Sequence, residues 1–265
     1  MVDHDLAIEA LSALCNTRII PSHQHRPDVH GSAEKLHSHR LFHKVLDGEA
    51  SCPVSGRIHQ HILSGGQRRG HFHLEVEIDK ITGKLHIIDE EEFFDPMYHY
   101  DFTNVKDSQT YYRGEEKYER PCGWQRFAIK VLDKYDENTW LGNLFRNTQS
   151  VPGEWPVSYH GTSQGGAEGI IEGHYKPGPG AAYGYGVYSS PHLSEANGYA
   201  KSFKSQKTGK MYKVILQNRI NPEHRVICQY DKYWLVRVPR GASDEKEEEL
   251  VERAIRPYGL LLKEV

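Results

Sequence analysis

Four cysteines, at positions 15, 52, 122 and 228, are all that 265 residues contain, and no two form a Cys-x-x-Cys pair. That scarcity argues against a disulfide framework, and free thiols in a reducing compartment are expected. Nowhere does an apolar run approach the roughly eighteen residues that would cross a bilayer. An excess of one charge is also missing. Against 36 acidic residues stand 33 basic ones, a net charge of −3. No general basic field therefore draws the chain to nucleic acid or anionic membrane, although a local basic patch stays open. Residues 1–17 carry Asp3, Asp5 and Glu9, and lack the basic start and apolar stretch of a signal peptide. The expectation is an intracellular protein, cytoplasmic or nuclear, with no membrane partner. Its composition, 37% hydrophobic and 26% charged, is that of a folded chain. The length suffices for one large domain or two ordinary ones.

Thirteen of the seventeen histidines fall before residue 100, so the chain divides in character there. We take 1–100 as a β-rich, His-rich N-terminal part and 101–265 as a second, C-terminal domain. No Ser/Gly linker marks the boundary, so a shared core is possible in principle. Leu6, Ile8, Leu11 and Leu14 fall on one side of a short N-terminal helix over 5–13. Residues 21–67 read as irregular, with one helix over 33–45. Alternation of Phe72, Leu74, Val76 and Ile78 predicts a strand over 71–79, turning at 80–84 into a second strand over 85–89. Phe127, Ile129 and Val131 predict another over 126–132. Beyond Pro152 the pattern is α+β. Strands are expected at 156–159, 186–189, 211–217, 225–228, 233–238 and 255–263. Helices are expected at 164–172, from Pro191 to about 203, and at 244–253. A Pro/Gly loop covers 176–184.

Two short segments carry chemistry. Val157-Ser-Tyr-His-Gly-Thr162 ends a strand in His160, Gly161 and Thr162. Gly184-Tyr-Gly-Val-Tyr-Ser-Ser190 places Tyr188 on a strand, and Tyr199 follows eleven residues later. Gly161 lets a backbone C=O and N–H approach a carboxamide closely. Two tyrosine rings can enclose a flat heteroaromatic ring and exclude water. His160 offers an imidazole, Thr162 a further hydroxyl, and Lys176 an ammonium that can face a ligand or stand in solvent.

The pair of segments resembles the NAD-binding core of ADP-ribosyltransferases of the poly(ADP-ribose) polymerase type, over residues 150–265. There a His-Gly-Ser/Thr strand end and a Gly-x-Gly-aliphatic-Tyr strand, with a second Tyr after it, hold the nicotinamide end of NAD. The resemblance implies an α+β fold with a split mixed β-sheet core. It also implies NAD as co-substrate, a donor loop at 173–182, and displacement at the nicotinamide ribose C1′. Sites implied are His160, Gly161, Thr162, Lys176, Tyr188, Ser190 and Tyr199 for NAD, with His160, Tyr188 and Lys232 as the catalytic set. Two departures stand out. Where polymer-forming members carry a Glu before the strand, Asp231-Lys232-Tyr233-Trp234 places Lys232. Lysine cannot accept from a ribose 2′-hydroxyl or stabilise developing positive charge, so mono-ADP-ribosylation is favoured over chain elongation. Asp231 points to the opposite face of a regular strand unless a bulge turns it inward. Ala196 replaces a Ser that contacts the carboxamide, leaving that contact to Ser190 or Thr162.

Four His-x-His pairs (23/25, 37/39, 59/61 and 71/73) could each chelate a metal if extended, yet none has a Cys at zinc-site spacing. Surface histidines are the plainer reading, and no metal is expected. With Arg68 and Arg69 they could alternatively meet a nucleic acid. The expectation is an NAD-dependent mono-ADP-ribosyltransferase acting on a protein or nucleic-acid acceptor with release of nicotinamide. The alternatives are an inactive NAD- or ADP-ribose-binding module and a nucleic-acid-binding interaction domain.

Overall fold

The computed structural model describes residues 4–24, 43–46, 85–143, 147–161, 170, 175–181 and 183–265. The strand expected at 71–79, Arg68, Arg69, Thr162, Cys52 and every His-x-His residue except His23 lie outside them. So does the helix expected at 164–172, Ile170 apart. The chain is α+β, with its strands in antiparallel sheets apart from one parallel pair.

Helix α1 (His4–Cys15) buries Leu6, Ala7, Ile8, Ala10, Leu11 and Leu14, a wider stripe than its leucines alone suggest. Strand β1 (Arg18–Pro21) follows, paired parallel with β3 (Leu85–Ile88), which also takes up β2 (His43–Leu46) antiparallel. Residues 43–45 were expected at the end of a helix. They are strand instead, because pairing with β3 outweighs a weak local pattern. A single acidic turn, α2 (Glu90–Phe93), is capped by Asp89, whose side chain accepts from the Glu91 and Glu92 N–H groups.

The main sheet forms next. Strand β4 (Tyr100–Asp101) leads to the small hairpin β5 (Tyr111–Arg113) and β6 (Glu116–Tyr118), then β7 (Gln125–Ala128). The last is shorter than the 126–132 expected, although Phe127, Ile129 and Val131 are all buried as their alternation requires. Strand β8 (Val157–His160) follows a Pro-rich approach. The hairpin of β9 (Gly178–Ala181) and β10 (Gly184–Ser189) replaces part of the loop expected at 176–184. Backbone pairing needs no side chain, and Pro179 is tolerated because β9 is an edge strand. Gly186 has φ +153°, and a Cβ there would lie 2.0 Å from Val236 O.

Helix α3 (Leu193–Gly198) ends well short of 203. The chain turns into β11 (Lys201–Lys204), which pairs with the start of the long strand β12 (Met211–Ile220). Phe203 there packs against the core and stacks on Tyr212 at 5.8 Å, a tertiary contact that local helix pattern does not register. Strands β13 (Arg225–Cys228) and β14 (Tyr233–Arg237), helix α4 (Asp244–Ala254) and strand β15 (Ile255–Glu264) complete the chain close to their expected places.

Six strands make one sheet. β12 pairs β15 along its length on one side, and β11 and then β8 on the other, while β7 and β4 extend beyond β15. A second sheet has the order β13-β14-β10-β9. Residues of α1 share one hydrophobic core with β7, β12, β14, β15 and α4. Glu9 in α1 accepts from the Gln206 and Lys207 N–H groups, fastening the helix to the turn after β11. Among the described residues, Cys15, Cys122 and Cys228 form no disulfide. Among the described residues, no helix is long and apolar enough to cross a membrane.

Candidate active site

The two sheets are stitched where the end of β8 meets the end of β10. Tyr159 of β8 and Ser190, just past β10, exchange both backbone hydrogen bonds, at 2.7 and 2.9 Å. This seam brings the ends of both sequence motifs together. Around it opens a cavity of about 410 Å³ whose walls include His160, Gly161, Tyr188, Ser190 and Tyr199. Five of the residues read from the sequence therefore share one hollow.

The His160 ring lies edge-on to Tyr175 at 4.9 Å, and its Nδ1 sits 2.5 Å from Tyr188 O. A carbonyl only accepts, so Nδ1 carries the proton. Burial holds the ring's pKa below the ordinary histidine value, partly opposed by that carbonyl. The neutral ring then presents Nε2 as an acceptor, and this atom is buried without a partner. In this tautomer Nε2 is able to accept a hydrogen bond and has no proton to donate.

Gly161 is required for a reason the motif does not reveal. A Cβ there would stand 2.2 Å from Ala196 O and 2.9 Å from the Tyr199 carbonyl carbon. Close packing of α3 on the end of β8 depends on it. The Tyr188 hydroxyl donates to Gly184 O (2.7 Å) and accepts from the Tyr183 N–H (3.1 Å), which ties the ring along its own hairpin. Tyr199 sits at the C-cap of α3, is 51% exposed, and shares a hydrogen bond with the Tyr233 hydroxyl. That bond, followed by burial, holds the Tyr233 phenol above its ordinary pKa. Ser190 is committed to backbone. Its Oγ donates to Lys232 O (2.8 Å) and accepts from the His192 N–H (3.0 Å), so its proton is committed and one lone pair is left for a further donor.

Lys176 is exposed ahead of β9 and is not among the described walls, and neither is Lys232. The Lys232 ammonium instead pairs with Glu195 Oε2 at 3.1 Å. Glu195 is the one carboxylate among the described walls, and it also accepts from the Tyr233 hydroxyl at 3.3 Å. Asp231 has φ +69° in the turn before β14, and its carboxylate accepts from Trp234 Nε1 at 2.5 Å. It does not reach the cavity. Gln229 and Tyr230 share that left-handed conformation (φ 49° and 52°), a run that L-residues adopt at a cost. The turn holds Gln229 in the cavity wall, bonded to the Tyr183 hydroxyl at 3.2 Å.

Sequence reasoning missed Glu195, Tyr233, Tyr183 and Gln229. A signal existed for the first, since Glu195 and Tyr199 are four apart and share a helix face. Tyr183 and Gln229 come from the tips of two separate hairpins, and no spacing in the sequence joins them. No family model matches the chain, and no curated protein matches its sequence.

Proposed function

We propose that this chain is an NAD-dependent ADP-ribosyltransferase that transfers a single ADP-ribosyl group to a macromolecular acceptor, protein or nucleic acid, with release of nicotinamide. The observation that carries this reading is the convergence of His160, Gly161, Tyr188 and Tyr199 on one cavity. Two sheets joined at the Tyr159–Ser190 seam also suit the split-sheet core of that transferase type. The groups present fit the co-substrate: an unpartnered acceptor at His160 Nε2, aromatic walls for a flat ring, and one carboxylate. NAD supplies a ribosyl–pyridinium bond whose cleavage leaves positive charge on the ribose.

This chain's residues would then act as follows. His160 Nε2 accepts from a ribose hydroxyl and orients it. Tyr188 and Tyr199 exclude water from the nicotinamide side. Glu195, not Lys232, provides the negative charge, and Lys232 and Tyr233 hold that carboxylate in place. Lys232 is therefore a positioning residue in this reading. Mono-transfer follows from the lysine at the position where a chain-elongating enzyme carries its acceptor carboxylate.

A binding-only reading has one observation in its favour: the Lys232 cation sits against Glu195 and offsets its charge. Incubation with NAD labelled in the adenylate half separates the two, with nicotinamide followed by chromatography and binding by calorimetry. Label transfer with nicotinamide release, lost in His160→Ala and reduced at least a hundredfold in Glu195→Gln, is the expected result. Binding without release would favour the module. Neither binding nor release would remove the NAD reading altogether.

A further inference from the structure

Away from the seam, β4, β7, β15 and the β5–β6 hairpin enclose a second cavity, also about 410 Å³. Four guanidiniums line it: Arg113, Arg120, Arg126 and Arg219. Three carboxylates lie in or behind its walls. Glu154 serves both Arg113 (3.3 Å) and Arg219 (3.0 Å), Asp107 pairs with Arg120, and Asp95 belongs to the wall. Arg126 alone of the four has no carboxylate partner among the described residues. Its guanidinium donates to Tyr98 O at 3.1 Å and lies between the Phe102 and Tyr258 rings, at 5.6 and 5.7 Å.

The buried side-chain polar atoms left without a partner in these walls are all donors. Arg126 Nε and Arg219 Nε are buried without an acceptor. So is His99 Nε2, which bears the ring proton because Nδ1 accepts from the Ala128 N–H at 2.9 Å. Unsatisfied donors cost stability, and a protein that keeps three beside an unpaired cation has a use for them. Surplus positive charge with spare N–H groups is complementary to a group of several anionic oxygens. The aromatic content adds a second requirement. Arg120 stacks on Tyr111 at 4.2 Å, and Tyr100 and Phe102 lie 4.2 Å apart, giving flat faces beside the cations.

The backbone is shaped for this arrangement. The β12–β15 register slips between Gln217 and Asn218, leaving Tyr258 as the extra residue of a bulge, and Tyr258 faces the cavity. Neighbouring Gly259 leaves room for the Arg126 stem, since a Cβ there would stand 2.9 Å from Arg126 Cδ. Tyr118 lines this cavity and Tyr159 lines the first, with Gln217 Nε2 donating to both hydroxyls at 2.9 and 3.5 Å. The two hollows are separate sites divided by a buried layer.

We infer that this second cavity binds a nucleotide, its phosphate on Arg126 and Arg120 and its base against the aromatic wall. The phosphate-and-base chemistry is the same whether the source is a free mononucleotide or the 5′-phosphorylated end of a single strand. This site stands independently of the transferase reading.

Calorimetric titration of the full chain with 5′-AMP, adenosine and a 5′-phosphorylated oligothymidylate tests it. At least one phosphorylated probe should bind, and whichever binds more tightly names the source. Adenosine should bind at least tenfold more weakly than AMP. Arg126→Gln should weaken the phosphorylated probe at least tenfold while melting no lower than the parent, because it removes an uncompensated cation. Arg120→Gln should weaken it as well, and His160→Ala should leave it unchanged. Failure of both phosphorylated probes to bind, equal affinity for adenosine, or full binding by Arg126→Gln would overturn the inference. So would loss of binding in His160→Ala, which would assign the nucleotide to the first cavity. Nicotinamide release, read separately, keeps failure here distinct from failure of the transferase reading.

Discussion

Replacing Gly161 by alanine tests whether the seam is built as described. No positive φ restricts that glycine, so alanine is conformationally allowed and the whole effect must come from space. The new methyl would meet Ala196 O at 2.2 Å, about 1 Å inside ordinary van der Waals contact. Backbone on both sides leaves no flexible side chain to yield, so α3 must move outward by about that much. Overpacking of this kind costs about 1–3 kcal/mol, which for a domain of this size lowers the melting temperature by about 2–12 °C. Because α3 carries Glu195 and leads into Tyr199, both leave their places together. On the proposed transferase function, misplacement by about 1 Å costs on the order of a hundredfold in rate. Gly198→Ala is the matched control. It lies in the last turn of the same helix with nothing within 4 Å of its Cβ, and should gain up to about 1 kcal/mol from helix propensity. Calorimetric melting together with NAD titration reads both variants. A Gly161→Ala protein that melts and binds like its parent would refute the close approach of β8 and α3.

Other outcomes follow from the same geometry. Arg219→Leu removes one of two cations from the Glu154 carboxylate, which is only 2% exposed, and two donors from the Trp155 and Leu141 carbonyls. Breaking a buried pair costs about 3–5 kcal/mol, the lower end applying while Arg113 remains, so urea denaturation should show a loss of about 3 kcal/mol. Burial, with His4 and Arg126 adding to it and Asp95 opposing, lowers the His99 pKa to about 4. The fold therefore favours the neutral ring: its contribution is complete above pH 6.5 and is lost as pH falls towards 4. After allowance for partial exposure this amounts to about 1–2 kcal/mol. His99→Asn, which keeps an acceptor for the Ala128 N–H, should flatten melting temperature against pH over that window. Ser243→Ala deletes the N-cap acceptor of the Lys246 N–H in α4 and should cost about 1 kcal/mol in chemical denaturation.

Strong periodicity was readable without coordinates. The leucine stripe of α1, the alternation inside β7 and the runs that became β12, β14 and β15 reflect side chains meeting a core, and that demand is local. Helix α3 and strand β11 were not readable. A continuous helix to residue 203 satisfies local propensity, but Phe203 gains more by pairing beside Tyr212 on the edge of β12. Glycines and a proline gave β9 the look of a loop, and only its partner strand makes it a strand.

The site divides in the same way. Two compact segments that resemble a transferase motif selected His160, Gly161, Tyr188 and Tyr199, and the fold brings these four to one cavity. Only the folded chain decided that Nδ1 of His160 is tied to Tyr188 O, that the Ser190 proton goes to Lys232 O, and that Glu195 is the carboxylate in the wall. Hydrogen-bond partners and charge pairs link residues distant in sequence, such as Glu195 with Lys232 or Tyr183 with Gln229. Their choice is set by how two sheets meet, a property that no local pattern encodes.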